Sequence, residues 1–263
     1  MLAPCSRIQT TAPLAWLKAG WCDLKAAPRI SFLYGSVVVL VSWAVSALAW
    51  YLGSYVLLLS ALSGFIFIAP LLALGLYSVS RHLAKERRPL LRRTWREMKR
   101  GLGQSMVYAL VLLIIFLVWA RAGSMVHIFM PTEEGSGWEA LLLFLGVGSA
   151  VGSIFALVSF AASAFSLPMI ADRDCDMITA VITSVNAVLK NKLAMLVWIA
   201  CIVSIMMAGM LFAGVGLMVA VPWLAYATWH GYRSCIEAKD WQELPLMARP
   251  KVYRTAEKVN HSA

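Results

Sequence analysis

ISFLYGSVVVLVSWAVSALAWYLGSYVLLLSALSGFIFIAPLLALGLYSVS, residues 30–80, carries no Asp, Glu, Lys or Arg, and the nearest charges are Arg29 and Arg81 at its ends. The same silence recurs from Glu139 to Asp172 and from Lys192 to Arg233. A helix rises about 1.5 Å per residue and needs roughly 20 apolar residues to cross the hydrocarbon core of a bilayer. Hydrophobic residues fill 61% of the 263 positions and charged residues 14%, well outside the soluble mix. An all-α membrane protein follows. Six transmembrane helices are expected at about 30–50, 55–79, 105–120, 140–170, 193–211 and 213–229. The last two would otherwise form one helix of about 37 residues, reaching roughly 55 Å against a core of about 30 Å. A turn near 209–216 is therefore expected.

The net charge of +10 reads first as topology. Six spans put 22 of the 23 Lys and Arg on one side, with Arg121 alone on the other. The positive-inside rule then makes that side cytoplasmic, which predicts a multi-pass membrane protein with both termini in the cytoplasm. The domain reading is an N-terminus with an amphipathic helix at 1–28, a six-span membrane domain at 29–233 and a cytoplasmic tail at 234–263. Within the membrane domain, 81–104 is a basic cytoplasmic loop and 172–192 a cytoplasmic amphipathic helix. Positional bias explains the charge without nucleic acid, so no nucleic-acid partner is expected. Residues 1–20 lack the apolar core of a cleavable signal peptide, and none is expected. Cys5, Cys22, Cys175 and Cys235 fall on the cytoplasmic side and Cys201 within a span, so reduced thiols are expected. No C-x-x-C or Cys/His ligand pattern occurs, and no structural metal is expected.

Each pair of spans is preceded by an amphipathic segment. In the first, Leu14, Leu17, Trp21 and Leu24 form an apolar stripe with Lys18 and Lys25 off it. The second uses Leu91, Trp95, Met98 and Leu102; the third Ile178, Val181, Ile182, Val185, Val188 and Leu189, with Asp176 as N-cap. Helices of this kind lie in the membrane interface. The even spans also echo one another: Pro70, Tyr77 and Arg81 repeat as Pro222, Trp229 and Arg233 at the same spacing, with Pro168 and Arg173 as a shortened relative. The expected architecture is three repeats of interfacial helix plus two spans. A proline near mid-membrane kinks a helix or is absorbed by packing, and packing is the favoured reading. Gly148 and Gly152, with Ser149 and Ser153, suggest a close helix contact within the chain.

Candidate chemistry gathers at the cytoplasmic rim. Asp172-Arg173-Asp174-Cys175-Asp176 offers alternating carboxylates that suit a hard cation such as Mg²⁺. The favoured alternative is structural: Asp176 caps the next helix while Asp172 and Asp174 pair with Arg173 or the basic loop. His82 and His230 lie at the cytoplasmic ends of spans, and no histidine lies at mid-depth, where a membrane haem needs its ligands. No cofactor is expected. Arg87, Arg88, Arg92, Arg93, Arg96, Lys99 and Arg100 are candidate contacts for anionic lipid headgroups, each contributing about 1 kcal/mol near a charged surface. Phosphate-loop, dinucleotide, zinc-protease and nucleophile-elbow motifs do not occur, and no enzymatic activity is expected.

The stretches Pro70-Leu71-Leu72-Ala73-Leu74-Gly75-Leu76-Tyr77, Leu167-Pro168-Met169-Ile170-Ala171-Asp172-Arg173-Asp174 and Ala227-Thr228-Trp229-His230-Gly231-Tyr232-Arg233 resemble the domain-of-unknown-function 2189 family of bacterial integral membrane proteins. The likeness runs from about Trp16 to Cys235. It implies a polytopic inner-membrane fold and no particular activity. Family members often have a further histidine four residues before the Trp-His pair; Ala225 or Tyr226 stands there in this chain, so a ligand role for the region loses support. Some members carry a cytochrome c oxidase subunit I label, which requires intramembrane histidines that this chain lacks.

The leading expectation is a non-enzymatic accessory, scaffold or assembly factor for membrane complexes, respiratory ones among them, with another membrane complex as partner. The alternative is a small-molecule or lipid transporter using a groove among the proline-kinked helices. Charge-free spans weigh against ion-coupled transport, whose sites need an intramembrane ionisable group.

Overall fold

The computed structural model describes residues 3–52, 72–85, 88–100, 102–129 and 138–246. These residues form helices and no strand: α1 Ala12–Ala26, α2 Pro28–Leu52, α3 at 72–84, α4 Leu91–Arg100, α5 Leu102–Phe129, α6 Trp138–Ser163, α7 Ser166–Asp172, α8 Met177–Lys190, α9 Lys192–Met210 and α10 Leu217–Cys235. A single 3-10 turn, Ala238–Asp240, follows.

Four helical segments among the described residues are long and apolar enough to cross a membrane: Pro28–Leu48, Leu102–Ala122, Gly146–Asp172 and Lys192–Met210. They correspond to the first, third, fourth and fifth expected spans. Most of the second span, with Pro70, lies outside the described residues. The sixth is present as α10, but it falls short of the apolarity of the other four. Tyr226, Thr228, Trp229, His230, Tyr232 and Arg233 lower its hydropathy; of these its neighbours bury Tyr226, Trp229 and Tyr232, while Arg233 is exposed. The chain turns between α9 and α10 at 211–216, where Ala213 and Gly214 take positive φ of 50° and 78°. Trp43 of α2 donates its indole N–H to the Ala213 carbonyl at 2.8 Å and so ties α2 to that turn.

α10 is the packing centre of one half of the molecule, with α1, α2 and α9 laid against it. Close approach depends on missing side chains. A Cβ on Gly20 of α1 would lie 2.6 Å from the Ala227 nitrogen, and one on Gly35 of α2 would collide with the Met218 carbonyl. The expected Gly148/Gly152 contact is not of this kind. A Cβ on Gly148 meets nothing within 4 Å, and one on Gly152 meets only the Trp119 indole at 3.7 Å. In the other half α5, α6, α7 and α8 pack together. Trp16 joins the halves, edge-on to Phe165 at 6.2 Å and to Trp198 at 5.6 Å.

The fourth span is broken at Ala164–Phe165. Pro168 has no N–H to give the Ala164 carbonyl, and its ring crowds that turn. Ser184 of α8 repairs the break: its Oγ accepts from the Phe165 N–H at 3.0 Å and donates to the Ala161 carbonyl at 2.8 Å. Such rescue by a neighbouring serine lets a membrane helix tolerate a break.

The amphipathic helices turn inward only part of the stripes read in sequence. α1 buries Pro13, Trp16, Gly20 and Leu24 and exposes Leu14. α4 buries Thr94 and Met98 and exposes Leu91 and Trp95. α8 buries Met177, Ala180, Thr183, Ser184 and Ala187 while Ile178, Ile182 and Leu189 point outward. The physical reason is common to all three. Where the surroundings are themselves apolar, burial of bulky aliphatics gains little, and fit between small residues decides the inward face.

Candidate functional site

Asp172, the last residue of α7, is fully buried and stands at the meeting point of three helices. Arg81 of α3 reaches its Oδ1 with Nε at 3.2 Å. On Oδ2, the Tyr232 hydroxyl of α10 donates at 3.0 Å and Arg173 Nε at 3.0 Å, while Arg233 stands at 3.9 Å. A buried carboxylate is costly unless paired and hydrogen-bonded, and this one faces three guanidiniums and a phenol. Arg81 is itself 3% exposed and also donates to the Ala171 and Leu244 carbonyls.

The tail closes over this node. Leu244 N–H donates to the Asp172 carbonyl at 3.0 Å, Asp174 N–H to the Gln242 carbonyl at 3.0 Å, and Arg173 to the Trp241 carbonyl at 3.0 Å. Glu243 pairs with Arg173 at 3.2 Å and with Lys85. Hydrogen bonding from Lys85, helped by the charges of Lys85, Arg173 and Arg81, holds the Glu243 carboxyl below the usual range. Asp176 caps α8, accepting from the Thr179 N–H at 2.9 Å, and bonds from Thr179 lower its pKa. Burial, then the neighbouring aspartates, push the Cys175 thiol up to about 12, far from thiolate reactivity.

Two further polar knots sit on the same rim. Asp23 of α1 accepts from Ser80 of α3 at 2.7 Å and contacts His230 Nε2 of α10 at 2.9 Å. Glu97 of α4 lies 3.1 Å from His82 Nε2 of α3 and accepts from Ser78. Each histidine thus holds an amphipathic helix. At the chain's beginning, Ser6 N–H donates to the Cys235 carbonyl at 2.8 Å, Glu237 N–H to the Pro4 carbonyl at 2.9 Å, and Asn191 binds Ile8 and Ser6 at 3.0 Å.

The sequence-derived candidates distribute as follows. Arg81, Asp172, Arg173 and Arg233 come together, and Asp174 joins the tail through its backbone. Asp176 serves α8. Tyr77 and Trp229 are buried in the apolar core and Pro168 and Pro222 are buried in packed contacts. Pro70 and Arg87 lie outside the described residues. Arg88, Arg92, Arg96, Lys99 and Arg100 are exposed and Arg93 half-buried. Lys99 stacks over Trp95 at 5.7 Å, and Arg100 donates to the Pro245 carbonyl at 3.1 Å. Among the described residues no three His, Cys, Asp or Glu side chains converge as a metal site.

Asp23, Ser78, Ser80, Glu97 and Glu243 escaped the sequence reading. A signal for two of them is present. Trp21-Cys22-Asp23-Leu24-Lys25 and Trp95-Arg96-Glu97-Met98-Lys99 share Trp, acid, apolar and Lys at one spacing, and in both the Lys lies over the Trp, at 5.6 and 5.7 Å.

Neither a curated protein nor a solved structure matches the chain. The segment that holds Tyr77, Arg81, Pro168 and Asp172 does match a family, and the Trp229–His230 motif lies beyond it. Residues 57–172 match the family model described as Predicted integral membrane protein (DUF2189), so this stretch of the chain is similar to that family.

Proposed function

We propose that this integral membrane protein is a non-enzymatic accessory or scaffold protein of the bacterial inner membrane, made of six crossings with both termini in the cytoplasm. The observation that carries the reading is the Asp172 knot. The polar residues around Asp172 spend their charge on one another, joining α3, α7, α10 and the tail into one platform, instead of surrounding an open reaction space. Three repeats of interfacial helix plus two spans accommodate the matched Trp21 and Trp95 segments.

Parity supports an even number of crossings. Residues 4–6 are bonded to 235–237, so the two ends share a side. α9 leaves the rim beside Asn191 and α10 returns to it at Cys235, which favours α10 as a crossing despite its polarity. Arg81 is back at the rim beside Leu244, which favours a return between α2 and α3.

The partners in this reading are another membrane complex and anionic lipid headgroups. The partner complex is expected to meet the outward apolar side of α8. A photo-crosslinking residue at Ile178 or Ile182 should capture one defined membrane protein in stoichiometric yield, and one at Ala187, on the buried face, should not. A purified protein that instead moves a solute across proteoliposomes, without any partner, would sink the proposal. A transporter reading needs the helix prolines to line a cavity, whereas Pro168 and Pro222 are buried in packed contacts.

A further inference from the structure

Two hollows adjoin at Leu91, where the start of α2 faces the start of α4. One, of about 610 Å³, is bordered by Pro28, Arg29 and Ile30 of α2 and by Arg88 and Leu90 before α4. The other, of about 440 Å³, continues along Leu33, Tyr34 and Val37 of α2, past Leu72, under Leu91, Arg92 and Trp95. The first is polar at its mouth and the second is almost wholly apolar. From Arg29 to Val37 the helix descends about 12 Å at about 1.5 Å per residue, enough to pass from a headgroup level into the acyl region.

The mouth is positively charged, and no described acidic residue pairs with it. Arg29, Arg88 and Arg92 are exposed, and none has an ion pair or hydrogen bond among the described residues. Arg81, Arg173 and Lys85 of the same rim, by contrast, are committed to Asp172 and Glu243. The mouth is also where α2 and α4 begin, and neither has an acidic residue in its first turn. Helix N-termini present free N–H groups and favour anions. Trp95, half-exposed beside Arg92, is the residue type that settles at the headgroup boundary.

We infer that the paired hollows bind one anionic phospholipid, its phosphate held between Arg29, Arg88 and Arg92, and one acyl chain lying along Leu33, Val37 and Leu72. The shape selects the ligand. A free phosphate would leave the apolar arm empty, and a neutral lipid would leave three arginines unanswered. This site rests on the cytoplasmic orientation of the basic rim and goes beyond it, because general attraction to an acidic surface would use every exposed arginine alike.

The test compares two charge-matched triple variants of the full-length protein in nanodiscs, probed with phosphatidylglycerol against phosphatidylcholine and with inorganic phosphate alone. R29Q/R88Q/R92Q should lower phosphatidylglycerol affinity roughly 100-fold, from about 1 kcal/mol per basic residue. R93Q/R96Q/K99Q should change it only a few-fold. Val37→Trp, which fills the apolar arm and keeps every charge, should also displace the lipid, while millimolar phosphate should not. Equal losses in both triples would overturn the site in favour of diffuse attraction and leave the rim's orientation standing. Retention of phosphatidylglycerol by R29Q/R88Q/R92Q would overturn it as well. Because the three arginines are exposed and unpaired, that variant tests the site even where Val37→Trp fails to fold.

Discussion

Asp172 shows what a single buried charge does in a chain so poor in charges. Its carboxylate is matched by Arg81 and Arg173, its remaining lone pairs by Tyr232, and its own carbonyl by Leu244. Removing one partner of such a pair leaves the other stranded, which costs about 3–5 kcal/mol in a buried site. Asp172→Asn should therefore lower stability by that order in detergent, read by tryptophan fluorescence on heating. Arg81→Met combined with Asp172→Leu should cost less than either half alone. If the double variant is as unstable as the sum of the singles, the two residues do not act as a pair. The residue-level reading of the sequence offered Arg173 or the basic loop as partners of Asp172, but had no means to choose among them or to bring in Tyr232 and the tail. Their convergence depends on the helix break at Phe165, which sets where α7 ends.

At the scale of elements, the uncharged runs, the turn at 211–216 and the Asp176 cap were legible, because each depends on residues close in sequence. The inward faces of α1, α4 and α8 were not. Counting bulky apolar residues finds the side that avoids water, and a helix against lipid has no such side to find. What sets the face is contact between small residues and another backbone. Gly35 is the clearest case, since its α-carbon leaves no room for a methyl beneath the Met218 carbonyl. Gly35→Ala should force α2 away from α10 and cost about 1–3 kcal/mol, in line with overpacking elsewhere. Gly148→Ala, where the space is open, should change the melting temperature little. Equal effects from the two substitutions would mean that α2 and α10 do not pack as closely as described.

For the whole molecule, the decisive relation is that beginning and end meet. Residues 4–6 bond to 235–237, Asn191 holds Ile8, and Glu243 reaches Arg173 and Lys85. Sequence alone assigned each loop an expected side through its charge, but it could not show which of the described segments are bonded together. Orientation gives a direct prediction. In intact spheroplasts a membrane-impermeant maleimide should leave the exposed Cys22 unlabelled and label a cysteine placed at residue 136, and permeabilisation should open Cys22 to it. Labelling of Cys22 from outside would reverse the orientation.

The helix that α1 and α2 pack against is the last α-helix among the described residues, far along the chain from both. Until α10 emerges from the ribosome, Gly20 and Gly35 face no partner backbone, Asp23 lacks His230, and Asp172 lacks Tyr232. Contacts between residues far apart in sequence close slowly, because the intervening chain must be ordered first. Biogenesis of this protein is thus a matter of early helices waiting for a late one: the rim stays unlocked until α10 has been made.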